Sequence, residues 1–311
     1  MNRNRYRVDA SENREAQREA KHVNYYIQVS EAEPSGERFW YVDDQGNATR
    51  IDVCSEQPPF EARRFRSDFP TSRFHKLSLA PGEYYPRMAR PCSIEAGALP
   101  ASNPGSRELI NLRTTSTGQL HALIGQLEQI CRVVHPVARN YKAFGHEIRN
   151  VLILACTEVE AQWKGILKAN SVNVNRASTN LYVKLAKPLK LAAYTVNLTY
   201  YPWLPPIAPF RGWKESGSPS QDLRWYQAYN QSKHDRESKF DQATLQHALH
   251  AVAGCFVILC AQYGDFPLRG PEALRAFFQL ITSPTWSPKE IYTPFGDPKE
   301  IFYDFGIAKK E

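Results

Sequence analysis

Apolar residues recur at three- and four-residue intervals in three long stretches of this chain. From residue 117 they fall at Leu120, Leu123, Ile124, Leu127, Ile130, Cys131 and Val134, the spacing that gathers side chains on one helical stripe. Ser116 or Thr117 offers an oxygen for the N-cap, and Pro136 marks the end. A second helix is predicted from about Phe144 to Lys168, with Ile148, Leu152, Ala155, Val159 and Ile166 on one face. Val151, Ile153, Leu154 and Leu167 widen that face until little of the helix stays wet, the pattern of a helix at the centre of its bundle. A third runs from about Asp241 to Tyr263, carrying Leu245, Ala248, Leu249, Val252, Phe256 and Leu259 inward, and closes on Gly264. Its most apolar run, Ala251 to Ala261, falls short of the roughly 20 residues that cross a bilayer. It reads as a core helix, with no membrane role.

Elsewhere the period changes to two. "YYIQVS" and "RFWYVDDQGNATRIDV", between Tyr25 and Val53, predict short strands with a turn at Asp43–Asn47. "YTVNLTYYPW" sets Tyr194, Val196, Leu198 and Tyr200 against Thr195, Asn197 and Thr199, another strand, which Pro202 stops. Residues 55–108 are irregular and rich in Pro, Arg and Ser, and 171–182 read as a loop. Residues 266–311 are Pro-punctuated and aromatic, an arm docked by its aromatics with a short helix at 271–281. The expected organisation is therefore a polar tail (1–25), short strands and a wrapping segment (26–108), a helical bundle (109–265) with a strand and Pro-rich insertion at 171–220, and an extended C-terminal arm (266–311). The fold class is mainly α.

Composition narrows the function classes. The chain has 311 residues, 42% hydrophobic and 23% charged, values of a globular protein with a substantial core. A net charge of +7 favours an anionic partner such as RNA or DNA. Six cysteines form no C-x-x-C pair, and Cys131, Cys156, Cys255 and Cys260 lie in apolar helical runs, where a thiol serves as a small buried hydrophobe. The expected compartment is reducing and cytoplasmic, and residues 1–22 lack the apolar run of a secretory signal. There is no G-x-G-x-x-G or G-K-[ST] spacing, which removes the common nucleotide-hydrolysing motifs.

The densest chemistry is "WYQAYNQSKHDR", Trp225 to Arg236. A helix here, N-capped by Ser220 and favoured by Asp222 at its positive end, stacks Tyr226, Asn230 and His234 at i, i+4 and i+8, with Tyr229 and Lys233 in the next row. Asn230 and His234 lie about 6 Å apart along the axis, a span over which both can grip one phosphate or ribose, with Arg236 adding charge. A plain structural role competes with this. Lys233, His234 or Arg236 pairing with Glu158 or Glu160 on the second helix would form a polar seam, and Trp225, Tyr226 and Tyr229 would be packing residues. His146 and Asn150 suit capping or solvent contact. His247 and His250, three apart, lack a third metal ligand.

The stretch "WYQAYNQSKHDR" followed by "FDQATLQHALHAVAGCFVIL", with "EIRNVLILACTEVEAQWKGIL" upstream, resembles the bacterial HEPN-like helical proteins of toxin–antitoxin and anti-phage systems, over roughly Gln119 to Tyr263. The resemblance implies an antiparallel helical bundle, a homodimer, and a metal- and cofactor-independent endoribonuclease. In that reading His234, Arg236 and Asn230 are catalytic, Lys233, Tyr229 and Arg224 contact RNA, and a protein partner such as an antitoxin restrains the activity. Tyr229 stands where the family motif has arginine, and a phenol supplies neither permanent charge nor forked donors. Arg236 or Arg224 takes that part, or the module is non-catalytic and binds nucleic acid or a protein.

Overall fold

The computed structural model describes residues 24–28, 38–42, 47–51, 63–64, 74–92, 109–264, 272–293 and 297–307. The chain divides into two compact units: residues 1–83, 92–98 and 286–297 form the first, and residues 84–91, 99–285 and 298–311 the second. The expected C-terminal arm is thus shared between them.

The first unit holds a five-stranded sheet. Its strands are β1 (Asn24–Gln28), β2 (Arg38–Val42), β3 (Asn47–Ile51), β4 (Arg63–Arg64) and β5 (Phe74–Lys76), in the order β4-β3-β2-β1-β5. All pairings are antiparallel, with Tyr26 opposite Trp40 and Trp40 opposite Arg50. The alternation read in the sequence is the alternation of sheet faces. Ile27, Leu77 and Ile291 form this unit's small buried cluster.

The second unit is mainly helical. Its long helices are α1 (Ile110–Val133), α2 (His146–Ala169), α5 (Arg224–His234) and α7 (Leu245–Tyr263). Short helices α3 (Thr179–Tyr182), α4 (Pro219–Asp222), α6 (Arg236–Lys239) and α8 (Glu272–Phe277) punctuate the connections. Strand β6 (Thr195–Leu198) pairs antiparallel with β7 (Phe278–Thr282). Tyr194, Val196 and Leu198 are buried, but Tyr200, expected on the same face, is 55% exposed. The chain has already turned at Tyr201, whose N–H donates to the Leu198 carbonyl.

Side-chain pairs give the helix directions. Cys255 on α7 donates to the carbonyl of Ala155 on α2, and Gln262 donates to Gln162, so α2 and α7 run parallel at a constant offset of one hundred residues. Tyr226 meets Glu160 and Ser232 meets Arg149, which makes α5 antiparallel to α2. Ser116, early in α1, meets Gln162, late in α2, so α1 is antiparallel as well. Consecutive long helices therefore alternate up and down, as an antiparallel bundle requires, while α2 and α7 pack as a parallel pair.

Several expectations shift. The helix buried all round is α7, where every residue from Ala251 to Tyr263 is buried. It is the one helix among the described residues long and apolar enough to cross a membrane, and that surface is spent in the core. In contrast, α2 keeps a wet stripe through Asn150, Leu154, Thr157, Ala161 and Lys164. Ser116 and Thr117 are not caps but buried residues inside α1, which starts seven residues before Thr117 at Ile110. Ser220 sits within α4, and Leu223 occupies the N-cap of α5 with no side-chain cap bond. The cap of α7 is Thr244, whose hydroxyl accepts from His247 N, and Gly264 ends it at φ 58°. The loop read at 171–182 contains α3. The helix read at 271–281 stops at Phe277 and continues as β7.

Candidate functional site

Helix α5 lies on α2 and divides the residues of its motif between core and surface. Trp225, Tyr226 and Tyr229 are buried. Trp225 Nε1 donates to the Pro209 carbonyl at 2.9 Å, and Tyr226 Oη donates to Glu160 Oε1 at 2.6 Å. Burial first, then the Glu160 carboxylate, push the Tyr226 phenol far above its ordinary value. Tyr229 is 1% exposed, so its ring cannot stack on a base, and the RNA contact expected of it is corrected to an internal role. Its hydroxyl accepts from Lys233 Nζ at 2.9 Å, and the same ammonium lies 5.0 Å from the ring centroid. That hydrogen bond holds Lys233 above the usual lysine value. A buried phenol thus fixes the direction of an exposed cation.

The remaining motif residues are dispersed. Asn230 is half-buried, and His234 is exposed at the last position of α5. Arg224 is exposed at the opposite end of the helix. Eleven residues at 1.5 Å each put about 15 Å between the ends, so Arg224 and His234 cannot serve one phosphate. The backbone of Arg236 begins α6, and its side chain lies outside the described residues. Asp235 breaks the helix between His234 and Arg236, where its carboxylate accepts from the N–H and hydroxyl of Ser238. The acidic seam takes another form than expected. Glu160 receives Tyr226 and lies 3.9 Å from Lys164, while Glu158 accepts from Gln162.

One residue that sequence reading passed over stands beside the motif. Arg149, on the first turns of α2, donates from Nε and Nη2 to the Ser232 carbonyl at 3.3 and 3.0 Å. Two forked donors hold a guanidinium next to the residue that precedes Lys233. His146 does not cap: its ring packs on Phe240 at 4.9 Å. Arg149 follows a His-Glu-Ile start with no motif of its own, and only tertiary packing brings it to α5.

Two further polar groupings lie deeper. Arg87, 6% exposed, enters the bundle between α2 and α7. Its Nε donates to Gln262 at 2.7 Å and its Nη2 to Gln162 at 2.8 Å. Burial lowers the Arg87 value, opposed by Tyr263 and Glu158. Gln162 also donates to Ser116 at 2.9 Å. The visible signal was a glutamine at a core position of each helix, Gln162 and Gln262. The second grouping surrounds a pocket of about 270 Å³ at the amino ends of α5 and α7, lined by Arg211, Arg224, His247 and His250 among others. Among the described residues no three His, Cys, Asp or Glu side chains gather to hold a metal ion.

Comparison of the chain with protein-family models, with curated proteins and with solved structures finds no match.

Proposed function

We propose that the chain is a HEPN-like module that binds RNA along the edge where the amino end of α2 meets the carboxyl end of α5. One observation carries this reading: Arg149 and Lys233 are cations from two helices, each held in place by a protein acceptor beside an exposed His234. Cations fixed before the ligand arrives lose little side-chain freedom on binding, and RNA phosphates reward them by counterion release. Among the described residues His234 has no orienting partner, and Lys233 and His234 are exposed to water. Both favour binding over cleavage.

Cleavage is the second reading, favoured by Arg149. Its guanidinium stands close to the motif whose arginine position is filled by Tyr229. In that chemistry an RNA 2′-oxygen bonds to the adjacent phosphorus as His234 takes its proton. The bond to the 5′-oxygen breaks, that oxygen gains a proton from water, and Arg149 offsets charge on the phosphoryl oxygens. Incubation of the protein with a short labelled single-stranded RNA in EDTA, with anisotropy and gel readouts, separates the readings. Binding alone gives salt-sensitive retention without products, and Lys233→Gln or Arg149→Gln each lowers the salt slope by about one. Products that vanish in His234→Ala establish cleavage. Retention unchanged in Lys233→Gln and Arg149→Gln, with no products, overturns both.

A further inference from the structure

The pocket at the amino end of α5 has the makings of a ligand site, and it lies about a helix length from the edge just described. Its volume of about 270 Å³ is just under the range of pockets that enclose drug-sized molecules, so it suits a small metabolite-sized group. Arg211 and Arg224 stand exposed at its rim, and His247 and His250 are half-buried in its wall. Leu223, Arg224 and Trp225 also line it. These residues hold the N-cap and first turn of α5, whose amino end carries no side-chain cap and so keeps backbone donors and the positive dipole end for an outside acceptor.

The tautomer of His247 follows from its neighbour. Nδ1 lies 2.8 Å from the Gln242 carbonyl, which can only accept, so Nδ1 carries the proton and Nε2 is the nitrogen that titrates. Burial lowers the value of His247, as does the Arg224 charge, against the Gln242 hydrogen bond. Arg224 and His247 both line the pocket, so an anion inside it meets both side chains. Among the described residues that line the pocket, the one acidic side chain is Asp222, and only one of its oxygens is hydrogen-bonded. Oδ1 accepts from Ser218 N at 3.3 Å, while Oδ2 is buried without a hydrogen-bond partner beside Gly217. Ala208, Pro209 and Leu223 give the lining an apolar portion.

We propose that this pocket binds a phosphate monoester, with the guanidinium groups of Arg211 and Arg224 and the uncapped amino end of α5 taking the phosphate oxygens and the apolar wall taking the organic substituent. Forked donors match phosphate geometry better than a point charge does. The same monoester chemistry occurs on a free small molecule and on the 5′-phosphorylated end of an RNA strand.

The test titrates the full chain with phenyl phosphate by calorimetry and, in a second arm, with short RNAs bearing a 5′-phosphate or a 5′-hydroxyl. The expected result is one phenyl phosphate site with a dissociation constant in the millimolar range or tighter. It weakens about tenfold in Arg211→Gln and again in Arg224→Gln, in keeping with the loss of a charged hydrogen bond. Lys164→Gln, an equal charge change on α2, leaves it unaltered. Both arginines are exposed, so the variants keep the fold, and their melting temperatures check this. Preference for 5′-phosphorylated over 5′-hydroxyl RNA, abolished by the same two substitutions, assigns the monoester to an RNA end. Phenyl phosphate binding without that preference assigns it to a small molecule. If neither probe binds, or both bind equally to the double variant, the proposal is overturned.

Discussion

Replacing glycine by alanine within a helix ordinarily stabilises it by about 1 kcal/mol, and Gly165 should do the opposite. A Cβ built on Gly165 would lie 1.9 Å from Arg87 Nη1 and 2.8 Å from its Cζ. The guanidinium cannot yield cheaply, because it is buried and bonded to Gln262 and Gln162. If Arg87 retreats, two hydrogen bonds from a charged donor are lost, each worth about 1.5–3 kcal/mol. Subtracting the helix-propensity gain leaves a net loss of about 2–5 kcal/mol. Gly125 on α1 is the control, since nothing lies within 4 Å of its added Cβ, and Gly125→Ala should stabilise by about 0.5–1 kcal/mol. Urea unfolding followed by far-UV circular dichroism measures both. A third variant isolates the cause: in an Arg87→Ala background the alanine at 165 meets no guanidinium, and its cost should disappear. Stabilisation by Gly165→Ala, or a cost that survives removal of Arg87, would refute the reasoning.

Two further outcomes follow from burial. His250 is lowered to about 4 by burial first and His247 second, against about 6.5 in an unfolded chain. Between those values the unfolded chain binds a proton that the folded one refuses, so stability is complete above about pH 6.5 and falls by up to roughly 3 kcal/mol as pH drops towards 4. His250→Gln should flatten that slope in melting curves taken across the interval, and an unchanged slope would count against it. The thiols of Cys156, Cys255 and Cys260 are fully enclosed and pushed well above their ordinary value by burial, and Cys131 to about 11. Alkylation mapped by mass spectrometry should therefore reach these four only in denaturant. Rapid native labelling of any of them would contradict the packing.

The helices were legible because apolar spacing is a local signal. Leu120 to Cys131, Ile148 to Ile166 and Leu245 to Tyr263 carry their period wherever they pack. Their ends were less so. Thr114 and Thr115 return their hydroxyls to the Ile110 and Asn111 carbonyls inside α1, so residues that look like capping candidates instead extend the helix beyond its apolar stripe. Ser220 was displaced because Pro219 opens a separate turn, α4, and leaves Leu223 at the junction. The packing of Trp225, Tyr226 and Tyr229 in the α5 motif was readable, but the places taken by its polar residues were not. Tyr229 and Lys233 are one hydrogen-bonded unit, while Arg224 and His234 share a helix and face different ends. Arg149 and Arg87 depend on contacts with residues 83 and 175 positions away, and the wall of the pocket joins segments from Ala208 to His250. No periodicity records such contacts.

The parallel pairing of α2 with α7 also dictates an order of events. During synthesis α1 and α2 can close on each other early, since few residues separate them. Ser116 and Arg87 are already available to Gln162, but the face of α2 that carries Ala155 must wait for Cys255, one hundred positions later. Until the crossover through β6 and α5 has emerged, an apolar ridge stays uncovered. Contacts so distant in sequence slow folding.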